Sequence, residues 1–205
     1  METNNQVFWG EMAPCDHLVQ IYEDDEIFVH ALTGFTENGF QNGDSVIIIA
    51  TDSHLSLLEK QLNQNHDLAA LKLSGRFIPV NAEDALSSFV IDDIVDEALF
   101  RKFVNGLITI SRQNNHKVRA FGELVAVLWG QGNRQATYKL ESLWDEFCKS
   151  DLICLFCAYP KSGFRQNARE SIEHICSLHS KMIQQNTASP EIDVYGSKLS
   201  FTSLR

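Results

Sequence analysis

The chain predicts an α/β fold, a three-layer sandwich around a mostly parallel central sheet of about five strands. Three observations carry that expectation. Its 205 residues suit one domain and, with 44% hydrophobic residues, can bury a core without disulfides or structural metals. From 17 to 164, short apolar runs alternate with amphipathic stretches, the signature of strand-helix-strand units. The run Val46 to Ala50 is apolar on both faces, as a central parallel strand should be.

The elements follow in order. Residues 17–22 read as the first strand, and the acidic turn Glu23, Asp24, Asp25 and Glu26 suits a helix start, where carboxylates accept from free amides. The helix carries Ile27, Phe28, Ala31, Leu32 and Phe35 on one face and stops near Gly39. Asn42, Gly43 and Asp44 turn the chain into the strand 46–50, and Thr51, Asp52 and Ser53 can cap a helix bearing Leu55, Leu58 and Leu62. Residues 76–80 form a third strand, in which Pro79 removes a ladder donor and so marks an edge or an irregular end. A short helix over 83–89 precedes a long one over 93–113 with Ile94, Val95, Ala98, Phe103, Leu107 and Ile110 inward. The fourth strand, 117–123, leads directly into the apolar segment 124–129. A helix from Asn133 to about Cys148 presents Leu140, Leu143, Trp144 and Phe147; 152–159 is the fifth strand, and a last helix spans 166–184. The organisation is an N-terminal extension (1–16), one domain (17–185) and a flexible tail (186–205).

Charge and motifs exclude several function classes. Seventeen Lys and Arg against 27 Asp and Glu give a formal charge of -10, which repels nucleic-acid phosphates and anionic lipid. The N-terminus has no signal-peptide pattern and no apolar run reaches membrane-span length, so a cytoplasmic location is expected. The five cysteines read as free buried thiols. No P-loop, nucleophile elbow, HExxH or kinase signature occurs, and Gly130, Gly132 and Gln135 form only an incomplete glycine fingerprint. Cys154 and Cys157 point to opposite faces of a strand, so they do not make a zinc pair. His174 and His179, about 140° apart on a helix, do not converge on one ion and read as a solvated pair. The acidic run 23–26 could hold a hard cation, but helix capping explains it more simply. No metal and no cofactor is expected.

Glu123 stands at the carboxyl end of a central strand, where open α/β sheets place their ligand crevice. It could serve a ligand or pair with Arg119 or Arg134. Tyr22, Asp52 and Tyr159 close other strands at the same rim, and Trp129 and Trp144 could wall a pocket there or belong to the core.

The segments HLVQIYEDD (17–25), FGELVAVLW (121–129), Gly132 and Asn133 with LESLW (140–144), LFCAYP (155–160), and the closing His179 and Ser180 together resemble the MEDS family of methanogen and methylotroph sensory regulators. The resemblance implies a relative of RecA/KaiC-type ATPases that has lost its P-loop, with the acidic segment 22–26 where an ATPase needs amides and a lysine. It implies a non-enzymatic sensory domain that binds an unidentified small molecule and signals to a partner such as a histidine kinase or a transcription regulator of a two-component system. The ligand-binding expectation rests on Tyr22, Glu23, Asp24, Asp52, Glu123, Trp129 and Tyr159. With no kinase core or helix-turn-helix after residue 180, output would pass through a partner or a homodimer, for which Ile172, Ile175 and Ile183 offer a patch. The alternative is a protein-interaction scaffold with a vestigial nucleotide site; a small hydrolase or transferase using Glu123 as base lacks a nucleophile or metal. A pocket of roughly 300 Å³ or more lined by aromatics would favour sensing, and a filled rim the scaffold.

Overall fold

The computed structural model describes Trp9 and residues 12–112, 115–164, 168–185 and 192–196. The strands are β1 (His17–Tyr22), β2 (Ser45–Ala50), β3 (Phe77–Asn81), β4 (Val90–Ile91), β5 (Ile94–Val95), β6 (Val118–Gly122), β7 (Cys154–Pro160), β8 (Lys181–Gln185) and β9 (Ile192–Gly196). The helices are α1 (Asp25–Gln41), α2 (Asp52–Leu62), α3 (Leu68–Leu73), α4 (Ala82–Ser87), α5 (Glu97–Ser111), α6 (Leu124–Gly130), α7 (Arg134–Asp151) and α8 (Ala168–Ser177). Seven strands make one sheet in the order β3-β2-β6-β7-β1-β8-β9, parallel except where β9 runs against β8.

Alternation along the strands splits the apolar residues between two cores. On one face Val46, Ile48, Phe121, Phe156 and Ala158 meet α1, α2 and α3; on the other Ile47, Ile49, Ala120, Leu155 and Cys157 meet α4 through α8. The three-layer α/β expectation holds, with two more strands than expected. Pro79 does sit on an edge strand.

Local chemistry explains the boundaries. The Asp24 carboxylate accepts from the amides of Glu26 (2.7 Å) and Ile27 (3.3 Å), which starts α1. The helix expected over 93–113 begins later, because Asp92 and Asp93 adopt positive φ (50° and 64°) and close the tight β4-β5 hairpin. Asp96 then caps α5 through the Leu99 amide (3.0 Å). The inward face is consequently Phe100, Val104 and Ile108, while Ile94 is 68% exposed and Ile110 also faces solvent.

The last helix ends at Ser177, well short of the expected 184, and the chain re-enters the sheet as β8. Ser180 makes the join: its amide donates to the His17 carbonyl (2.8 Å), and its hydroxyl accepts from the His17 amide (2.9 Å) and donates to the His17 carbonyl (3.0 Å). The expected patch of Ile172, Ile175 and Ile183 therefore dissolves, since Ile175 lies in one core and Ile183, on β8, in the other. Residues 192–196 of the expected flexible tail form β9. Trp9, placed by sequence in a mere extension, is buried against Phe35 and Phe156. Gly34 makes room for it, as a Cβ there would come within 2.6 Å of the indole Nε1.

Arg119 does not reach Glu123. It is buried at the opposite end of β6, where its Nε donates to Asp44 Oδ2 (2.8 Å) and its Nη1 reaches the Trp9 and Phe35 carbonyls (3.4 and 3.5 Å). Gly39 leaves its path open, since a Cβ would lie 2.9 Å from Arg119 Cδ. Among the described residues no helix is long and apolar enough to cross a membrane.

Asp44→Ala should cost about 3–5 kcal/mol in denaturant unfolding, because it leaves a buried guanidinium without its counter-charge. Glu59→Ala, which breaks a half-exposed pair with Lys72, should cost no more than about 1 kcal/mol.

Candidate functional site

Two polar clusters interrupt the apolar layers. The first lies at the carboxyl rim, where β6 ends and the Glu123 amide still donates to the Ile49 carbonyl (2.8 Å). That bond turns the Glu123 side chain over the end of β2. Its Oε2 accepts from the Thr51 amide (2.9 Å) and hydroxyl (3.3 Å), and its Oε1 from His54 Nδ1 (2.8 Å). Glu123 is 5% exposed, and these bonds replace the water its carboxylate loses. His54 Nε2 faces the exposed Asp25 carboxylate across 3.9 Å. Tyr22 stacks on Phe28 (centroids 4.6 Å apart), and Phe28 meets the His54 ring edge-on (4.9 Å). Burial, the Glu123 charge and Asp25 push the Tyr22 phenol up. Burial alone would lower the His54 pKa, but its hydrogen bond to Glu123 and the charges of Glu123 and Asp25 outweigh that and raise it above 6.5.

The second cluster is buried in the α4-α8 layer. His17 at the start of β1, Cys157 in the middle of β7, Glu141 on the inner face of α7 and His179 between α8 and β8 bring their ligand atoms within 4.8 Å of one another. Glu141 Oε2 lies 3.5 Å from His17 Nε2 and 3.4 Å from His179 Nε2, and Cys157 Sγ lies 3.5 Å from His17 Nε2. Glu141 Oε1 accepts from the Tyr159 hydroxyl. His179 Nδ1 is 2.8 Å from the Ile175 carbonyl, which can only accept, so Nδ1 carries a hydrogen and Nε2 is the nitrogen turned to the cluster. Glu141 Oε2 and His179 Nε2 are buried without a hydrogen-bond partner. Burial raises the Glu141 carboxyl and the Cys157 thiol and lowers the His17 imidazole, so desolvation favours the neutral form of these three groups.

The sheet divides the seven residues singled out from sequence. Tyr22 and Glu123 belong to the rim cluster. Asp24 caps α1; Glu23 pairs with Lys161; Asp52 accepts from Asn81 Nδ2 (2.6 Å) in the first turn of α2. Tyr159 and Trp129 lie in the opposite core, so they do not join Tyr22 and Glu123 around one pocket. Trp129 Nε1 donates to the Gly163 carbonyl (3.1 Å), and Arg134, the other candidate partner of Glu123, stacks on the Trp129 ring (3.2 Å to its centroid). Trp144 is a core residue packed on Phe100. A cleft of about 400 Å³ opens at the opposite, amino edge, lined by Asn42, Asp44, His116, Lys117, Arg119 and Cys154 among others; no Phe, Tyr or Trp is among its described walls.

Sequence reasoning missed the buried cluster. His179, which by sequence is one of a solvated pair with His174, is enclosed; by sequence His17 is only the start of a strand and Cys157 a free buried thiol. A signal existed in α7, where Thr137, Glu141, Trp144 and Cys148 share one inward stripe and Glu141 is its only charge. A carboxylate on a buried stripe demands a partner.

The family model MEDS, "MEthanogen/methylotroph, DcmR Sensory domain", matches residues 16–180. No curated protein matches the chain significantly. Among solved structures, the chain is similar to a protein from Pyrococcus horikoshii OT3 at TM-score 0.64 and 9% identity, covering 96% of this chain and 94% of that one. It is also similar to the flagellar accessory protein FlaH from Methanocaldococcus jannaschii, at TM-score 0.54 and 12% identity, covering 95% and 83%. At these identities the likeness is one of fold.

Because the folded-state pKa of His54 is raised, its contribution to stability is complete below the unfolded pKa of about 6.5 and is lost as pH rises through the folded value. His54→Gln should therefore destabilise the protein more at about pH 5 than at about pH 9. Imidazole titration by NMR should place His54 above 6.5.

Proposed function

The chain belongs to the MEDS sensory-domain family, and we propose that it works without catalysis, binding a small molecule and passing its bound state to a signalling partner such as a histidine kinase or a transcription regulator. The observation that carries the sensory part of this reading is the match of residues 16–180 to the MEDS sensory-domain family; the engagement of the carboxyl rim by the protein's own groups supports the part that excludes catalysis. The first amides of α1, where a phosphate would sit in a nucleotide-binding relative, already serve the Asp24 carboxylate, and Asp25 and Glu26 add negative charge to that turn. The Glu123 oxygens are occupied by Thr51 and His54, which argues against a free general base. What the rim offers a ligand is hydrogen bonding around His54, whose Nε2 faces exposed Asp25 across a gap too long for a direct bond, with the Tyr22 and Phe28 rings behind it. The residues recruited for binding are then Tyr22, Asp25, His54 and Glu123.

A second reading, an interaction scaffold with a vestigial nucleotide site, is favoured by the same enclosure of Glu123, since a filled rim is what it requires. Native mass spectrometry of freshly purified protein separates the two. A retained organic molecule, lost in Glu123→Gln while the fold persists, is the expected result, and the same spectra report any dimer. Bare wild-type protein together with a captured signalling protein would favour the scaffold.

ATP with magnesium should bind no more tightly than about 10 μM, about -7 kcal/mol, in equilibrium dialysis. Tighter binding would overturn the reading of the α1 N-terminus as self-capped.

A further inference from the structure

We propose that His17, Glu141, Cys157 and His179 form a buried tetrahedral site for a first-row divalent metal ion, with zinc the best match to the donors. The geometry carries the argument. Bonds of about 2.0–2.2 Å to nitrogen and oxygen and about 2.3 Å to sulfur make the edges of a ligand tetrahedron about 3.3–3.6 Å long. The separations here are 3.4 Å from Glu141 Oε2 to His179 Nε2, 3.5 Å from Glu141 Oε2 to His17 Nε2, and 3.5 Å from Cys157 Sγ to His17 Nε2. Three edges thus have the required length, and no ligand pair exceeds 4.8 Å.

Two of the four ligands have the outer contacts that a metal site uses. His179 donates its Nδ1 hydrogen to the Ile175 carbonyl, and the outer oxygen of Glu141 takes the Tyr159 hydroxyl. Such outer contacts fix the ring orientation and the carboxylate face that a metal sees. The inner atoms, Glu141 Oε2 and His179 Nε2, are fully buried with no hydrogen-bond partner, an arrangement that costs stability unless something accepts their lone pairs. A divalent cation does so. With Cys157 as thiolate and Glu141 as carboxylate its charge is balanced, and a neutral assembly suits the apolar core that encloses it. Two imidazoles, one thiolate and one carboxylate are a mixed borderline set, which zinc accepts. All four positions of the tetrahedron are filled by protein, so the ion clips β1, β7, α7 and the α8-β8 junction together.

This inference stands apart from the rim and its ligand. The test is metal analysis of the full-length purified chain, followed by chelator stripping and titration of the apoprotein with cobalt(II) as a visible probe. The expected result is about one zinc or other transition-metal ion per chain and, with cobalt, tetrahedral visible bands plus a thiolate-to-metal band in the near ultraviolet. Cys157→Ser should lose the thiolate band, and Cys154→Ser, whose thiol lies on the other face of the same strand, should keep it. Tyr159→Phe leaves the ligands intact and should weaken metal binding about 10–100-fold. Circular dichroism of each variant separates loss of metal from loss of fold. A folded wild-type chain that holds no metal and binds no cobalt, or a thiolate band that survives Cys157→Ser, overturns the proposal; a retained organic molecule without metal would leave the rim reading standing while this one falls.

Discussion

A parallel sheet covered on both faces leaves polar side chains only two places, the strand ends and defects in the core, and the chemistry of this protein follows from that constraint. Each buried charge must be matched where it stands. Arg119 and Asp44 match one another at the amino edge. Glu123 is matched at the carboxyl edge by an amide, a hydroxyl and an imidazole. Glu141 is only half matched: one oxygen has the Tyr159 hydroxyl, and the other faces two imidazoles at 3.4 and 3.5 Å. The two glutamates therefore differ in kind. Glu123 is satisfied by protein hydrogen-bond donors, whereas one oxygen of Glu141 is buried without such a donor.

Most of the fold was legible in the sequence because period and turn chemistry agree over long stretches. The five strands expected between 17 and 160 are all present, and Asp24 and Asn133 cap the helices whose starts they mark. Legibility failed where a short pattern suits two structures. Ile94 and Val95 fit a helical face, but two aspartates at positive φ make them one arm of a hairpin. Met182 and Ile183 fit the continuation of an amphipathic helix; the hydroxyl of Ser180, bonded to the backbone of a residue 163 positions earlier, makes them a strand. No local window contains that partner.

The candidate site was legible by position and not by pairing. Strand ends identified Glu123, Tyr22 and Asp52 as rim residues, yet parity sent Tyr159 and Trp129 to the other side of the sheet. His54 was invisible as a partner because it is one turn into a helix, 69 positions from Glu123. The buried cluster escaped for the same reason on a larger scale: its four ligands come from β1, α7, β7 and the segment after α8, and each alone resembles an ordinary core or surface residue.

The join at Ser180 also sets how the sheet comes apart. Among the described residues β8 faces β1 over three register pairs, Leu18 to Gln20 with Lys181 to Ile183, and faces β9 over five. Fewer register pairs thus join β8 to β1 than to β9, so β8 and β9 form one ribbon laid along the β1 edge. Peeling it would bare the backbone of β1, an unpaired parallel edge able to accept a strand from another chain. His179 sits at the root of that ribbon, one residue before Ser180, so its imidazole joins the buried cluster of the core directly to the edge of the sheet.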